Sequence, residues 1–155
     1  MAAKTRALDV LAGTDHEVLT YSPSQDHFGQ HSVDELGLDA SAVFKTLVVE
    51  GPGGVLAICC VPVASQLSLK KAAKALGWKR AEMAQPARAE RATGYIVGGI
   101  SPLGTITSLP TLIDASATAL PTITVSAGRR GLSVRLAPGV LAELSGAQFA
   151  EISSG

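Results

Sequence analysis

Two short stretches of this chain hold residues out of keeping with their surroundings, and both could do chemistry. The first is Lys45, set within Val43-Phe44-Lys45-Thr46-Leu47-Val48-Val49. A lysine in an apolar strand must carry its ammonium to water or meet a polar partner. Facing a concave site it could bind a phosphate or the carboxyl-derived end of a ligand, with the Thr46 hydroxyl nearby. At the end of a strand it could equally snorkel to solvent. The second stretch is Gly98-Gly99-Ile100-Ser101-Pro102-Leu103-Gly104. Glycines allow close backbone approach and present amide donors to a carbonyl oxygen or an oxyanion. The same residues would also suit a tight turn between strands.

Other catalytic patterns are missing from the sequence. There is no G-x-S-x-G nucleophile elbow, no H-E-x-x-H zinc helix and no paired C-x-x-C. A Ser-His-Asp triad and a zinc site are therefore disfavoured. His16, His27 and His31 all fall in the acidic N-terminal third. His27 and His31 have the spacing of a one-face helical pair, but Gly29 lies between them in a polar stretch that reads as a loop, which disfavours a metal site. The glycine loop lacks both the G-x-G-x-x-G spacing and the G-x-x-x-x-G-K-[ST] lysine, so a dinucleotide or triphosphate is not its expected ligand. Cys59 and Cys60 are adjacent in an apolar run, where an ordinary disulfide between neighbours is strained. They read as reduced core residues.

The elements that must position these residues follow from periodicity and punctuation. Thr5 to Leu11 has helical spacing and Gly13 can stop it. Glu17 to Tyr21 reads as a strand, followed by a polar loop, Ser22 to Gln30, whose Phe28 could close over a pocket. Ser32 and Glu35 have capping-box spacing for a short helix ending at Gly37. Val43 to Glu50 and Val55 to Val61 form a hairpin about Gly51-Pro52-Gly53-Gly54. Ser68 caps a helix over Leu69 to Leu76, ended by Gly77, and Pro86 opens one running to Thr93. Strands follow at Tyr95 to Val97, Thr111 to Asp114, Thr122 to Ser126 and Leu132 to Leu136, then a helix over Pro138 to Leu144.

Without regular βαβ alternation, this order predicts an α+β fold: a mixed, mainly antiparallel sheet curled into a barrel-like body flanked by helices. With 155 residues, 46% of them hydrophobic and 17% charged, one globular domain over residues 1–155 is expected. No apolar run approaches the roughly 20 residues that span a bilayer, and the start resembles no signal core, so a soluble, cytoplasmic protein is expected. The 13 basic and 13 acidic residues cancel, but not evenly along the chain. Lys70, Lys71, Lys74, Lys79, Arg80, Arg88 and Arg91 face only Glu82 and Glu90 over Gln66 to Arg91. Such a cluster could contact phosphates or simply be a solvated helix face.

Taken together, three segments resemble the YbaK/EbsC family of aminoacyl-tRNA deacylases, relatives of the editing insertion domain of bacterial prolyl-tRNA synthetases. They are Phe44-Lys45-Thr46-Leu47, Pro62 to Leu67 leading into Leu69-Lys70-Lys71, and Thr93 to Gly104. Val125 to Leu132 is similar to the family's strand-turn-strand near the pocket. The subgroup most similar to this chain removes cysteine mischarged onto proline tRNA.

The resemblance implies that the acylated 3′ end of tRNA enters the cleft and that prolyl-tRNA synthetase is a partner. No cofactor, metal, DNA or membrane is expected. Lys45 matches the family lysine expected to position the terminal adenosine or its phosphate. Gly98, Gly99, Ile100, Ser101, Pro102 and Gly104 match the loop that approaches the ester. Tyr21, Phe28, Thr46 and Ser126 match pocket-lining positions. Ser133 stands where close relatives often carry an acidic residue, which leaves substrate preference open. Alternation puts Ser133 and Arg135 on the strand face opposite Leu132, Val134 and Leu136, facing either the cleft or solvent.

Ester hydrolysis needs a nucleophile, and no general base is evident in the sequence. A cysteinyl ester could supply its own thiolate, leaving the protein to orient it and stabilise the oxyanion. Deacylation of alanine or another small residue by water, and a non-catalytic module that binds aminoacyl-tRNA or a synthetase, are the alternative readings.

Overall fold

The computed structural model describes residues 4–21, 33 and 36–154. Phe28, the His27 and His31 pair and the Ser32 and Glu35 capping box lie outside the described residues. The end of that helix is within them. Gly37 adopts a φ of 65°, and the Leu38 N–H returns to the Val33 carbonyl at 3.0 Å, as a glycine-terminated helix requires.

The first helix, α1 (Arg6–Leu11), starts where the Thr5 hydroxyl accepts the Leu8 N–H, and it buries Ala7 and Leu11. After β1 (Glu17–Thr20), the strands β2 (Phe44–Glu50) and β3 (Leu56–Pro62) form the expected hairpin, paired without a slip from Phe44 opposite Pro62 to Glu50 opposite Leu56. Its turn is tight because Trp78 packs on it: a Cβ on Gly51 would lie 2.4 Å from the indole ring. β4 (Gln66–Leu67) leads to α2 (Leu69–Leu76), capped by Ser68 and ended by Gly77 in the left-handed region. β5 (Glu82–Met83) and α3 (Pro86–Thr93) follow. The second half comprises β6 (Thr111–Asp114), β7 (Ile123–Arg129), β8 (Leu132–Leu136), α4 (Pro138–Ser145), β9 (Gln148–Ala150) and β10 (Ser153–Ser154).

β3 explains why its sequence is apolar almost throughout. It lies between β2 and β6 in a five-stranded sheet of order β5-β2-β3-β6-β9, and both of its faces are covered. Ile58 and Cys60 join the main core, with Phe44, Val48, Ile113, Val125 and Val134. Ala57, Cys59 and Val61 join a second core under α2, with Ala72, Leu112 and Ile152. The main core is closed by an antiparallel sheet of order β1-β8-β7, and β4 pairs with β10 at the rim. The β3–β6 and β6–β9 pairings are parallel and the other five antiparallel, as a mainly antiparallel mixed sheet should be.

Two expectations are corrected. The sheet does not close into a barrel. Among the described residues, the chain entering β2 is hydrogen-bonded to the three-stranded sheet only at a parallel bridge between Val43 and Thr124, and β2 pairs with β5 only at Val49 and Glu50. Between those points no strand among the described residues pairs with its outer edge. Nor is Tyr95 to Val97 a strand. Those residues form a turn held from outside, in which the Tyr95 hydroxyl donates to the Leu103 carbonyl at 2.5 Å and the Gly99 N–H donates to the Ile96 carbonyl at 2.9 Å. Apolar composition alone does not distinguish a buried turn from a buried strand.

Asp114, at the end of β6, is 2% exposed and ties three segments together. Its carboxylate accepts the Ile152 and Ser153 N–H groups at 3.0 Å each and the Ser116 hydroxyl at 2.6 Å. Burial pushes its pKa up, but these hydrogen bonds outweigh burial and the net shift is below the ordinary 3.8. A carboxyl with a depressed folded-state pKa contributes stability that is present above the unfolded value and lost as pH falls through the folded one. Asp114→Asn should therefore cost about 1–3 kcal/mol in urea unfolding at pH 7, because an amide nitrogen then faces backbone donors. The gap between mutant and parent should shrink as pH is lowered through the carboxyl titration.

Candidate active site

The gap along β2 opens into a cavity of about 510 Å³, within the size range of small-ligand sites. The six consecutive residues Val43 to Val48 all line it. Alternating side chains on one strand face cannot do that, so the cavity runs along the strand's edge and meets its main chain. Met83, Ala84, Pro86 and Ala89 form one wall, Val97, Gly98 and Ile100 another, and Tyr21, Val125, Ser126 and Ser133 the rest of the far side.

Lys45 lines this cavity, and its ammonium donates to the Ser65 carbonyl at 2.9 Å. Burial lowers its pKa below the ordinary 10.5. One bond leaves donors of the ammonium unused. Thr46 lines the cavity on the other side of the pleat, its hydroxyl 3.9 Å from the Cys60 sulfur. Cys59 and Cys60 are reduced and buried, and burial pushes each thiol pKa up to about 12. Both stay protonated at neutral pH and are poor nucleophiles.

Ser126 and Ser133 sit opposite each other on β7 and β8 and both line the cavity. Ser133 is 4% exposed, whereas Arg135, two residues on, pairs with the Glu17 carboxylate at the surface. Of the two environments open to this strand face, Ser133 takes the cleft and Arg135 the solvent. A tyrosine and a lysine are the only titratable side chains among the described lining residues.

The glycine loop is fixed by its neighbours. The Val97 N–H donates to the Glu90 carboxylate of α3 at 2.8 Å, and the Val97 carbonyl accepts from the Arg130 Nε at 3.0 Å. Gly98 then turns at a φ of 91°. Among the described residues, the amides of Gly98, Ile100 and Ser101 donate to no acceptor, and those of Gly98 and Ile100 belong to residues lining the cavity. Unpaired amides beside an apolar cavity are suited to an oxyanion or a carbonyl oxygen.

Gly99, Ser101, Pro102 and Gly104 are not among the cavity's lining residues. Gly99 backs onto the β7–β8 turn, where a Cβ would sit 2.6 Å from the Arg129 Cα. The buried Ser101 hydroxyl accepts the Leu103 N–H at 3.2 Å. Gly104 lies against α1, a would-be Cβ 2.7 Å from the Arg6 carbonyl. Met83, Ala84, Pro86 and Ala89 line the cavity although nothing local in the sequence Met83 to Ala89 marks it as a cavity wall. The basic cluster divides: Arg88 pairs with Glu50 and the Gly54 carbonyl, and Lys71 pairs with Glu151. Lys70, Lys74, Lys79, Arg80 and Arg91 are exposed.

Residues 29–144 match the model of the aminoacyl-tRNA editing domain. A protein of Enterococcus faecalis provisionally named Cys-tRNA(Pro)/Cys-tRNA(Cys) deacylase EbsC is 42% identical over 132 residues, covering 84% of this chain and 80% of its own. The crystal structure of a protein provisionally described as a trans-editing enzyme for prolyl-tRNA synthetase superposes with a TM-score of 0.84 at 25% identity, covering 99% of this chain and 100% of its own. The hypothetical protein APE2540 shares the fold, with a TM-score of 0.87 at 20% identity, covering 97% of this chain and 100% of its own. The chain thus belongs to the aminoacyl-tRNA editing domain family, in its YbaK/EbsC branch, and is an aminoacyl-tRNA deacylase.

Gly99→Ala should lower stability by about 1–3 kcal/mol, because the three atoms it would meet, in Arg129 and Arg130, are all main chain and none can swing away. Gly139→Ala, in the first turn of α4 with nothing within 4 Å of the new methyl, should instead be neutral or stabilising by up to about 1 kcal/mol. Chemical denaturation of the two variants checks the contrast.

Proposed function

We propose that this deacylase hydrolyses cysteine from mischarged proline tRNA, and that the cysteine's own thiol is the nucleophile. The observation that carries this reading is a cavity with unpaired amides at Gly98 and Ile100 but no carboxylate, imidazole or low-pKa thiol among its described lining residues. Such a site can polarise an ester but supplies no evident base to activate water. A substrate thiolate needs none once ionised. Its sulfur attacks the ester carbonyl, the carbon–sulfur bond forms, and the bond to the ribose oxygen breaks. That oxygen takes up a proton, and water opens the resulting thiolactone.

In this scheme Lys45 anchors the terminal nucleotide through its unused donors. Gly98 and Ile100 hold the carbonyl oxygen, and Gly99, Ser101, Pro102 and Gly104 keep the loop in place. Thr46, Ser126 and Ser133 line the acyl end with hydroxyls, and Tyr21 completes the pocket wall. Holding the thiol near its own carbonyl supplies much of the acceleration. The name of the E. faecalis relative agrees with this substrate, and the description of the structural relative favours prolyl-tRNA synthetase as the enzyme whose errors are cleared. The exposed cations Lys79 and Arg80 precede β5, whose Met83 lines the cavity, and are placed to meet tRNA phosphates there.

Single-turnover deacylation of a panel of tRNAs, crossed by amino acid and by tRNA species, tests the reading. Cysteinyl-tRNA(Pro) should react at least about tenfold faster than its seryl or alanyl counterparts, because only the thiol is readily ionised. Faster clearance of the alanyl ester would assign the cavity to water-mediated removal of alanine. Lys45→Ala should slow cysteinyl-tRNA(Pro) hydrolysis by roughly tenfold to a hundredfold, the worth of one charge-assisted hydrogen bond, with an unchanged far-UV circular dichroism spectrum.

A further inference from the structure

The open edge of β2 carries a polar group that the scheme above does not use. In β2 the odd-numbered residues turn their main chain toward β3, as the Val63 N–H bonded to the Val43 carbonyl at 2.7 Å shows. The even-numbered residues turn theirs outward. The Ala42 carbonyl accepts from Thr124 at 2.9 Å, and the Val48 carbonyl accepts from Ala84 at 3.0 Å. Pairing with β3 runs through this stretch without a bulge, so the N–H and C=O of Thr46 also point outward. They fall between the Val43–Thr124 bridge and the β5 pairing, where no strand among the described residues covers them and the cavity lies. A main-chain carbonyl facing a cavity and left without a partner calls for a hydrogen-bond donor.

We propose that the Thr46 main-chain carbonyl receives the free α-ammonium group of the aminoacyl ester, making an unblocked amine a condition of hydrolysis. This rests on the deacylase reading. An aminoacyl ester offers one cationic donor next to its carbonyl, and the cavity offers an outward carbonyl on β2 and unpaired amides at Gly98 and Ile100. Binding at both fixes the Cα of the substrate between them and so directs its side chain. An acylated nitrogen is neutral, has one hydrogen and is bulkier, so peptidyl and N-formyl esters are spared. An α-hydroxyl donates without charge and binds more weakly.

The test compares cysteinyl-tRNA(Pro) with its N-acetyl and α-hydroxy counterparts in single turnover, all three keeping the thiol. Each blocked or deaminated ester should react about tenfold to a hundredfold more slowly, the range for losing a hydrogen bond to a charged group. Equal rates would overturn the proposal. Thr46→Val, which removes the hydroxyl and keeps the carbonyl, should preserve the rate ratio whatever its absolute rate; a ratio near one in that variant would assign the contact to the hydroxyl and overturn the proposal. The contact is also read without turnover. With carbonyl-labelled protein, the Thr46 carbonyl resonance should shift on adding 3′-cysteinylamido-3′-deoxyadenosine and not its α-hydroxy analogue. An unmoved resonance in the presence of bound analogue would count against the contact. Lack of turnover on the parent ester, with the shift present, would count against the deacylase reading alone.

Discussion

The site depends on a strand that is only partly paired. β2 is bound along its full length by β3 on one side, but on the other, among the described residues, it is hydrogen-bonded only at its two ends, by Thr124 and by β5. Main-chain groups on an uncovered edge must find water, a ligand or another strand. Here the two sheets and α3 wall the edge off, and the enclosed space becomes a cavity. Closing the barrel would satisfy that edge and remove the site.

The wall opposite is a loop whose geometry is set from three directions. Glu90 holds Val97 from α3, Arg130 holds it from the β7–β8 turn, and the Tyr95 hydroxyl clamps Leu103. These contacts fix the loop before a substrate arrives, so the Gly98 and Ile100 amides need little rearrangement to meet a developing charge. The glycines divide the work. Gly98 supplies the turn at positive φ beside the cavity, and Gly99 and Gly104 permit contact with the backbone of other segments. Without a base among the described lining, rigidity and position are the main catalytic means of this site.

Local signals proved reliable where one residue type has one physical use. Ser68 and Gly77 bound α2, Pro86 opens α3, and the glycine turn after Glu50 joins β2 to β3. The apolar run expected over Val55 to Val61 is a strand over Leu56–Pro62 with both faces covered, which also explains its adjacent cysteines. They failed where a segment's composition allows several uses. Tyr95 to Val97 is a clamped turn, and the segment Met83 to Ala89 forms a cavity wall that its composition does not announce.

By itself, the sequence determined the helices, the longer strands and their order, the family, and the unusual placement of Lys45 and the glycine loop, because each is encoded in neighbouring residues; the short strands at Gln66–Leu67, Glu82–Met83, Gln148–Ala150 and Ser153–Ser154 carry no such signal. Tertiary structure alone decided that the sheet stays open and that Ser133 faces the cleft while Arg135 faces solvent. It also decided that only Gly98 and Ile100 of the loop reach the cavity lining. These outcomes rest on contacts between residues distant in the chain, such as Val43 with Thr124 and Gly99 with Arg129. No local pattern records which edges of a sheet will meet.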